Sequence, residues 1–338
     1  MQRPLTAMAA LLACATMFGP GLAAAEDLTV GMPTTPPNIV HMPVLIAQDL
    51  GLFKKEGVTV KTIALDGGVK VYRAMLAGNI DIGMTPGAVN VVGASKGAPV
   101  KIILSNTPKY EASMIVRDNI KTMADLKGKR IGIQQPGGFA DINSRAVLRA
   151  AKIDPKDVNF VTIATDDVPA LVADQVDTAI LHVDQEMLAK SKVPGLHAIA
   201  RMWELQPKTL YLVDSTTEKT IKEKAKALKA YTKAHIEAVR LIYTDKAKVL
   251  PSIIKHTGLP PDVAEKALDY MIKSCIWDAN SGLAPDRVTF TGNLMEKVGN
   301  IEKGKVPKYD DVVDTTFAKE ALAELGEWKG PVCPSSAM

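Results

Sequence analysis

The sequence predicts an α/β protein of two lobes, each a mainly parallel sheet flanked by helices, joined by a two-crossover hinge. Three observations lead there. Short apolar runs alternate with amphipathic segments through the first two thirds of the chain, the pattern of parallel strands with crossover helices. The alternation restarts at Ser113. A chain of 338 residues also usually divides its hydrophobic core.

In order, Leu28–Met32 reads as a strand followed by a Pro/Thr loop. A helix is expected from Pro43 to Phe53, with the proline in its first turn, where a missing N–H costs nothing. Val58–Leu65 is a second strand, and Gly67-Gly68 opens a helix carrying Val71, Tyr72, Met75 and Leu76 on one face. Ile80–Met84 and Val100–Leu104 complete the first set. Ser113–Val116 and Ile131–Gln134 begin the second, and Gly137-Gly138 opens a helix through Ala151. Val158–Ile163, a helix near Pro169–Ala173 and Thr178–Leu181 close it, and Leu210–Val213 leads back out. Beyond Glu218 the chain reads as helical, with apolar stripes at Leu228, Tyr231, His235, Ala238 and Ile242, and at Val263, Ala267, Tyr270 and Met271. Crossings are expected at Asn106–Glu111 and Val213–Thr216. One lobe then comprises residues 26–108 and 214–330, and the other 109–213, with a tail at 331–338.

Composition narrows the function. Hydrophobic residues at 47% exclude intrinsic disorder. Lys+Arg 41 against Asp+Glu 37 leaves scattered charge that suits neither nucleic acid nor an anionic membrane surface. No two histidines stand at metal-ligand spacing and no cysteine cluster exists, so neither a metal nor a cofactor is expected.

The amino end reads as an export signal. Arg3 precedes an apolar run from Leu5 to Phe18, a Gly19-Pro20-Gly21 break and Ala23-Ala24-Ala25, which places cleavage before Glu26 in a periplasmic protein. Lipoprotein processing at Cys14 is the rival. Removing residues 1–25 leaves Cys275 and Cys333, and an oxidising compartment lets these two form a disulfide.

In open sheets ligands bind beyond the carboxyl ends of strands, where connections reverse. Here those ends are Pro33 to His41, Asp66 to Val69, Thr85 to Gly87, Gln134 to Phe139, Thr165 to Asp167, and His182 to Gln185. The two Gly-Gly turns each start a helix and leave backbone N–H groups for a carboxylate or sulfonate. They would serve equally as tight strand–helix turns, since neither matches a dinucleotide or P-loop fingerprint. Two of Asp66, Asp166, Asp167 and Asp184 facing the cleft would instead favour an amine or amidine. His235 reads as packing, and His197 and His256 have no site logic.

Three strings carry a family likeness. They are Ala47-Gln48-Asp49-Leu50-Gly51-Leu52-Phe53-Lys54-Lys55-Glu56-Gly57-Val58, Met75-Leu76-Ala77-Gly78-Asn79-Ile80-Asp81-Ile82-Gly83, and Asp125-Leu126-Lys127-Gly128-Lys129-Arg130-Ile131-Gly132-Ile133. The chain resembles periplasmic substrate-binding proteins of ABC importers, the aliphatic sulfonate, taurine and nitrate group with its thiamine-pyrimidine-synthase-like relatives. The resemblance implies a type II clamshell that holds a small organic anion and delivers it, as a monomer, to an inner-membrane permease. It places ligand-binding loops on Thr34, Thr35, Asn38 and His41, and on Gly67, Gly68 and Val69. Further loops fall on Thr85 and Pro86, on Gln135, Gly137, Gly138 and Phe139, and on His182 and Gln185. Phe139 departs from the small polar residue often found after such a turn and suits stacking on a flat ligand. Two other classes stay open: an enzyme on the same fold, for which Lys70 after the first Gly-Gly turn is the candidate cofactor lysine, and a periplasmic ligand sensor. The dense cysteine motif of the synthase relatives is missing here.

Overall fold

A computed structural model of the chain describes residues 26–65, 67–136, 138–163 and 167–330. The expected signal segment with Cys14, the pocket glycine Gly137, the loop residues Asp66, Thr165 and Asp166, and the tail 331–338 with Cys333 lie outside the described residues.

Strands follow one another as β1 (Glu26–Met32), β2 (Val58–Ala64), β3 (Ile82–Pro86), β4 (Val100–Thr107), β5 (Ala112–Val116), β6 (Arg130–Ile133), β7 (Asn159–Thr162), β8 (Thr178–His182), β9 (His197–Arg201) and β10 (Leu212–Thr217). They form two five-stranded sheets, ordered β2-β1-β3-β10-β4 and β7-β6-β8-β5-β9. Parallel pairing joins β2, β1 and β3 in one, with Leu28 opposite Val60, and β7, β6 and β8 in the other. In each sheet one strand runs against its neighbours: β10 between β3 and β4, and β5 between β8 and β9.

The reversed strands have a simple cause. Leu212 at the start of β10 lies opposite Pro86 at the end of β3, and Ala112 at the start of β5 opposite His182 at the end of β8. Both crossovers, at 108–111 and 206–211, therefore enter their lobes from the strand-end side. The second return was expected at Val213–Thr216, with the lobe boundary between 213 and 214. Those residues are instead buried inside β10, which pairs with β3 on one side and β4 on the other, and the crossing falls earlier.

Other boundaries shift for local reasons. The single helix expected over Pro43–Phe53 is two, Met42–Asp49 and Leu52–Lys55, because Gly51 takes a left-handed φ of 69° between them. Thr85 and Pro86, read as lying past a strand end, are the last residues of β3. A helix at Gly87–Ser95, strand β9 and the helix Val183–Lys192 are present beyond those read from the sequence.

The stripe Leu228, Tyr231, His235, Ala238 and Ile242 is wholly buried on the helix Glu218–Thr244, which packs on the first sheet. The helices Lys246–Thr257 and Pro261–Lys273 extend that core, while the second sheet builds its own around Met114, Ile131, Val147 and Ile180. Two features tie the crossovers together. Tyr110 and Tyr211 stack at 4.4 Å, and the Arg287 guanidinium donates to the Pro108 and Pro207 carbonyls at 3.2 and 3.4 Å. Cys275 takes part in a disulfide. No helix among the described residues is long and apolar enough to cross a membrane.

Candidate functional site

The strand ends of both lobes meet through a continuous line of contacts. Gly67 N–H donates to the Pro33 carbonyl at 2.8 Å, and the next residue, Thr34, places Oγ1 3.4 Å from His41 Nδ1. His41, 2% exposed, faces His182 of the other lobe at 6.5 Å between ring centroids. The His182 ring stacks on Phe139 at 4.7 Å and 17°. Phe139 opens the helix Phe139–Ala150 and also leans on Tyr110 and Tyr211 of the crossovers, at 6.1 and 6.5 Å.

Buried polar groups hold this line in place. Glu111, 1% exposed, accepts from His182 Nδ1 at 2.6 Å and from the Val183 N–H at 3.1 Å. A carboxylate acceptor fixes the proton on Nδ1 of the imidazole. The Tyr110 hydroxyl accepts from Asn143 Nδ2 at 2.6 Å, and the same amide donates to the Phe139 carbonyl, which sets the first turn of that helix.

Burial dominates the electrostatics. It lowers the His41 pKa to about 3, with His182 adding repulsion. His41 is therefore a neutral ring at ordinary pH. Burial also raises both tyrosines above their usual range, with Glu111 adding to the effect, so neither hydroxyl ionises. Asp184 is pushed upward by burial as well, with His182 opposing.

Two helix starts at the site carry no side-chain cap. Gly67 precedes Gly68–Leu76 and Gly138 precedes Phe139–Ala150, and neither supplies an acceptor. Helix starts of this kind favour a ligand oxygen on their first N–H groups, each end contributing about 0.3–1 kcal/mol and up to about 2 when partly buried, although the Lys70 N–H is already engaged by the Gly67 carbonyl at 3.0 Å. The helix Val183–Lys192 differs, because Gln185 Oε1 accepts from the His182 N–H at 3.1 Å as part of a capping box. Among the described residues no group of three or more His, Cys, Asp or Glu is placed to hold a metal ion.

Residues 38–247 match the family described as NMT1/THI5 like. The chain belongs to that family. YtlA of Bacillus subtilis, which carries a provisional name as a binding protein, is 24% identical over 300 residues, covering 85% of this chain and 88% of YtlA. The 4-amino-5-hydroxymethyl-2-methylpyrimidine phosphate synthase of Legionella pneumophila is 29% identical over 170 residues, covering 50% of this chain and 53% of the synthase. In fold, the NMT1/THI5-like chain is similar to the periplasmic aliphatic sulphonate binding protein SsuA of Escherichia coli. The TM-score is 0.69 at 17% identity, over 90% of this chain and 94% of SsuA. The two-lobed α/β architecture is thus that of periplasmic binding proteins.

Within this NMT1/THI5-like fold the residues named from sequence divide. His41, Gly67, Gly68, Gly138, Phe139 and His182 gather along the contact line, with Thr34 beside them. A Cβ on Gly68 would run into the Pro86 ring, which brings Pro86 against that helix start. Val69 is 42% exposed at the same turn, while Thr35 and Gln135 are exposed. Thr85 turns inward: it is fully buried and bonded to Ser215 and Asn90 at 3.0 and 2.7 Å. Asn38 spends its amide on Asp184, and Gln185 on its own helix. Sequence reasoning missed Tyr110, Glu111, Asn143 and Tyr211. A Tyr-Glu pair placed directly before a mostly apolar strand was the available signal for Glu111.

Proposed function

We propose that this protein is the exported solute receptor of an ABC importer. It captures a small organic anion, a sulfonate or carboxylate with a planar apolar body, between its lobes and presents it to an inner-membrane permease. The observation that carries the reading is the pair of uncapped, glycine-led helix starts on opposite lobes, linked through His41, His182 and Phe139. The anionic head sits on the backbone N–H groups, the flat body lies against Phe139, and neutral His41 offers a hydrogen bond rather than a charge. Family membership, the likeness to YtlA and the fold of SsuA support the receptor role. The signal expected over residues 1–25 supports export, with the mature chain starting at Glu26. The proposed receptor works as a monomer, both lobes of its site being supplied by one chain.

A ligand strengthens closure through contacts made to both lobes at once, since it shifts a conformational equilibrium only by its differential affinity. Micromolar affinity, about −8 kcal/mol, is sufficient. The test is a thermal-shift screen of residues 26–338 against sulfonates, aromatic and aliphatic carboxylates, nitrate and aminopyrimidines. A hundredfold excess over Kd raises stability by about 2.7 kcal/mol. A shift confined to one organic anion class is the expected result. Silence toward anions with a visible absorbance band from a lysine-bound cofactor would overturn it in favour of the enzyme reading that the Legionella synthase raises. A response only to aminopyrimidines would replace the anion with a nitrogen heterocycle.

A further inference from the structure

Asp184 sits where the two lobes touch, 4% exposed, at the start of the helix Val183–Lys192 in the second lobe. Its Oδ2 accepts from the Ile39 N–H of the first lobe at 2.9 Å, and both carboxylate oxygens lie 3.4 Å from the Asn38 amide nitrogen. Oδ1 also accepts from the Gln185 N–H at 3.0 Å. Asn38 is the residue that ought to cap the helical turn Ile39–His41, yet its side chain makes no capping bond and reaches across to Asp184 instead. One buried carboxylate therefore accepts from a backbone N–H at the start of the turn Ile39–His41 in one lobe and from another in the first turn of the helix Val183–Lys192 in the other. A charged acceptor with three donors, two of them from the facing lobe, is a strong cross-link in a dry setting. The same second-lobe helix also packs on the first lobe's helix Pro261–Lys273, and Arg201 lies over the Tyr270 ring at 5.8 Å.

We propose that Asp184 is a built-in latch: a protein carboxylate that holds the lobes closed by capping the first helix of the opposite lobe. In this assignment Asn38 is its receiving half rather than a ligand contact. The latch sets ligand affinity through the open–closed equilibrium without touching the ligand, so Asp184 is a positioning residue. Its functional meaning rests on the solute-receptor reading; its measurement does not.

The experiment uses the mature chain with spin labels on cysteines introduced by Lys96→Cys and Lys192→Cys, one exposed site on each lobe. The latched protein gives a narrow inter-label distance distribution. Asp184→Ala, which leaves the Ile39 N–H without its acceptor, and Asp184→Asn, which sets an amide N–H₂ against two donors, both broaden it toward longer distances. Asn38→Ala does the same from the other lobe and carries the test if the Asp184 variants fail to fold. Combined with Asp184→Ala it adds little, because either change opens the same latch. With benzenesulfonate as the anionic probe, Asp184→Ala weakens binding about tenfold to a hundredfold, mostly through faster release. Distributions that stay at wild-type width in folded Asp184→Ala and Asn38→Ala overturn the latch. Failure of benzenesulfonate to bind the wild type counts against the anion reading, and the label distances still decide the latch.

Discussion

Acidification should unfasten this protein through His41. The side chain is 2% exposed, its nearest polar partner is Thr34 Oγ1 at 3.4 Å, and burial and His182 together hold its pKa at about 3. In the unfolded chain the imidazole returns to about 6.5. The folded pKa is the depressed one, so the unfolded state binds the extra proton as pH falls. The contribution is present in full above pH 6.5 and is lost on the way down toward 3. Each pH unit in that window costs roughly 1.4 kcal/mol, so going from pH 7 to 5 removes about 2 kcal/mol through this residue. The assay is urea unfolding followed by tryptophan fluorescence at pH 7, 6 and 5, for the wild type and His41→Gln. Glutamine keeps a hydrogen-bonding side chain but has no proton to take up. Other titrating groups are common to both proteins and cancel in the difference. The wild type should lose about 2 kcal/mol more than His41→Gln between pH 7 and 5. Equal pH slopes would refute the claim that His41 is held neutral by its surroundings.

Three further outcomes follow from the same geometry. Glu111→Gln deprives buried His182 of its charged acceptor and should cost about 3 kcal/mol in urea unfolding at neutral pH, as breaking a buried pair does; a loss below about 0.5 kcal/mol would mean water already reaches that pair. Phe139→Ala removes the ring stacked on His182 and should weaken the best anion of the screen about tenfold by calorimetry, whereas an unchanged Kd would move the ligand away from that face. Cys275→Ser should lower stability by about 2–4 kcal/mol, and a non-reducing peptide map of the wild type should link Cys275 to Cys333; a free Cys333 thiol would sink that pairing.

The legible parts of the fold were those written as periodic apolar pattern. The stripe from Leu228 to Ile242 and the buried strand Ala112–Val116 announce themselves, because every residue on one face must leave water. The first crossing was legible for the same reason, since Pro108 and the polar residues around it interrupt two apolar strands. The second was misplaced because Val213, Thr216 and Thr217 are ordinary strand residues, and nothing local tells a strand inside a lobe from a segment leading into it. The running direction of β5 and β10 was hidden too: it depends on which end of the lobe the chain enters, a property of the whole topology. At the site, the glycines and Phe139 could be found by their place after strands. Glu111, Tyr110 and Tyr211 could not, because each gains its role from a partner about 70 to 100 residues away, as Glu111 does from His182. Thr85 shows the opposite error: its position after an apolar run suggested a strand-end loop, but the strand runs on to Pro86 and turns Thr85 inward.

Two buried carboxylates at the lobe interface would ordinarily argue for a cationic ligand. Their partners weaken that argument. Glu111 is engaged by the His182 imidazole and the Val183 N–H, and Asp184 by Ile39, Asn38 and Gln185. Each carboxylate therefore has its hydrogen-bonding capacity directed at the protein, and a cation entering the cleft would have to break those bonds to reach it. The turns beginning at Gly68 and Phe139, one in each lobe, carry no side-chain cap. The turn at Phe139 leans on the Tyr110–Tyr211 stack that joins the two connections. In the proposed receptor a ligand anion bound there would press on the hinge, and it and the Asp184 latch would act on the same open–closed equilibrium.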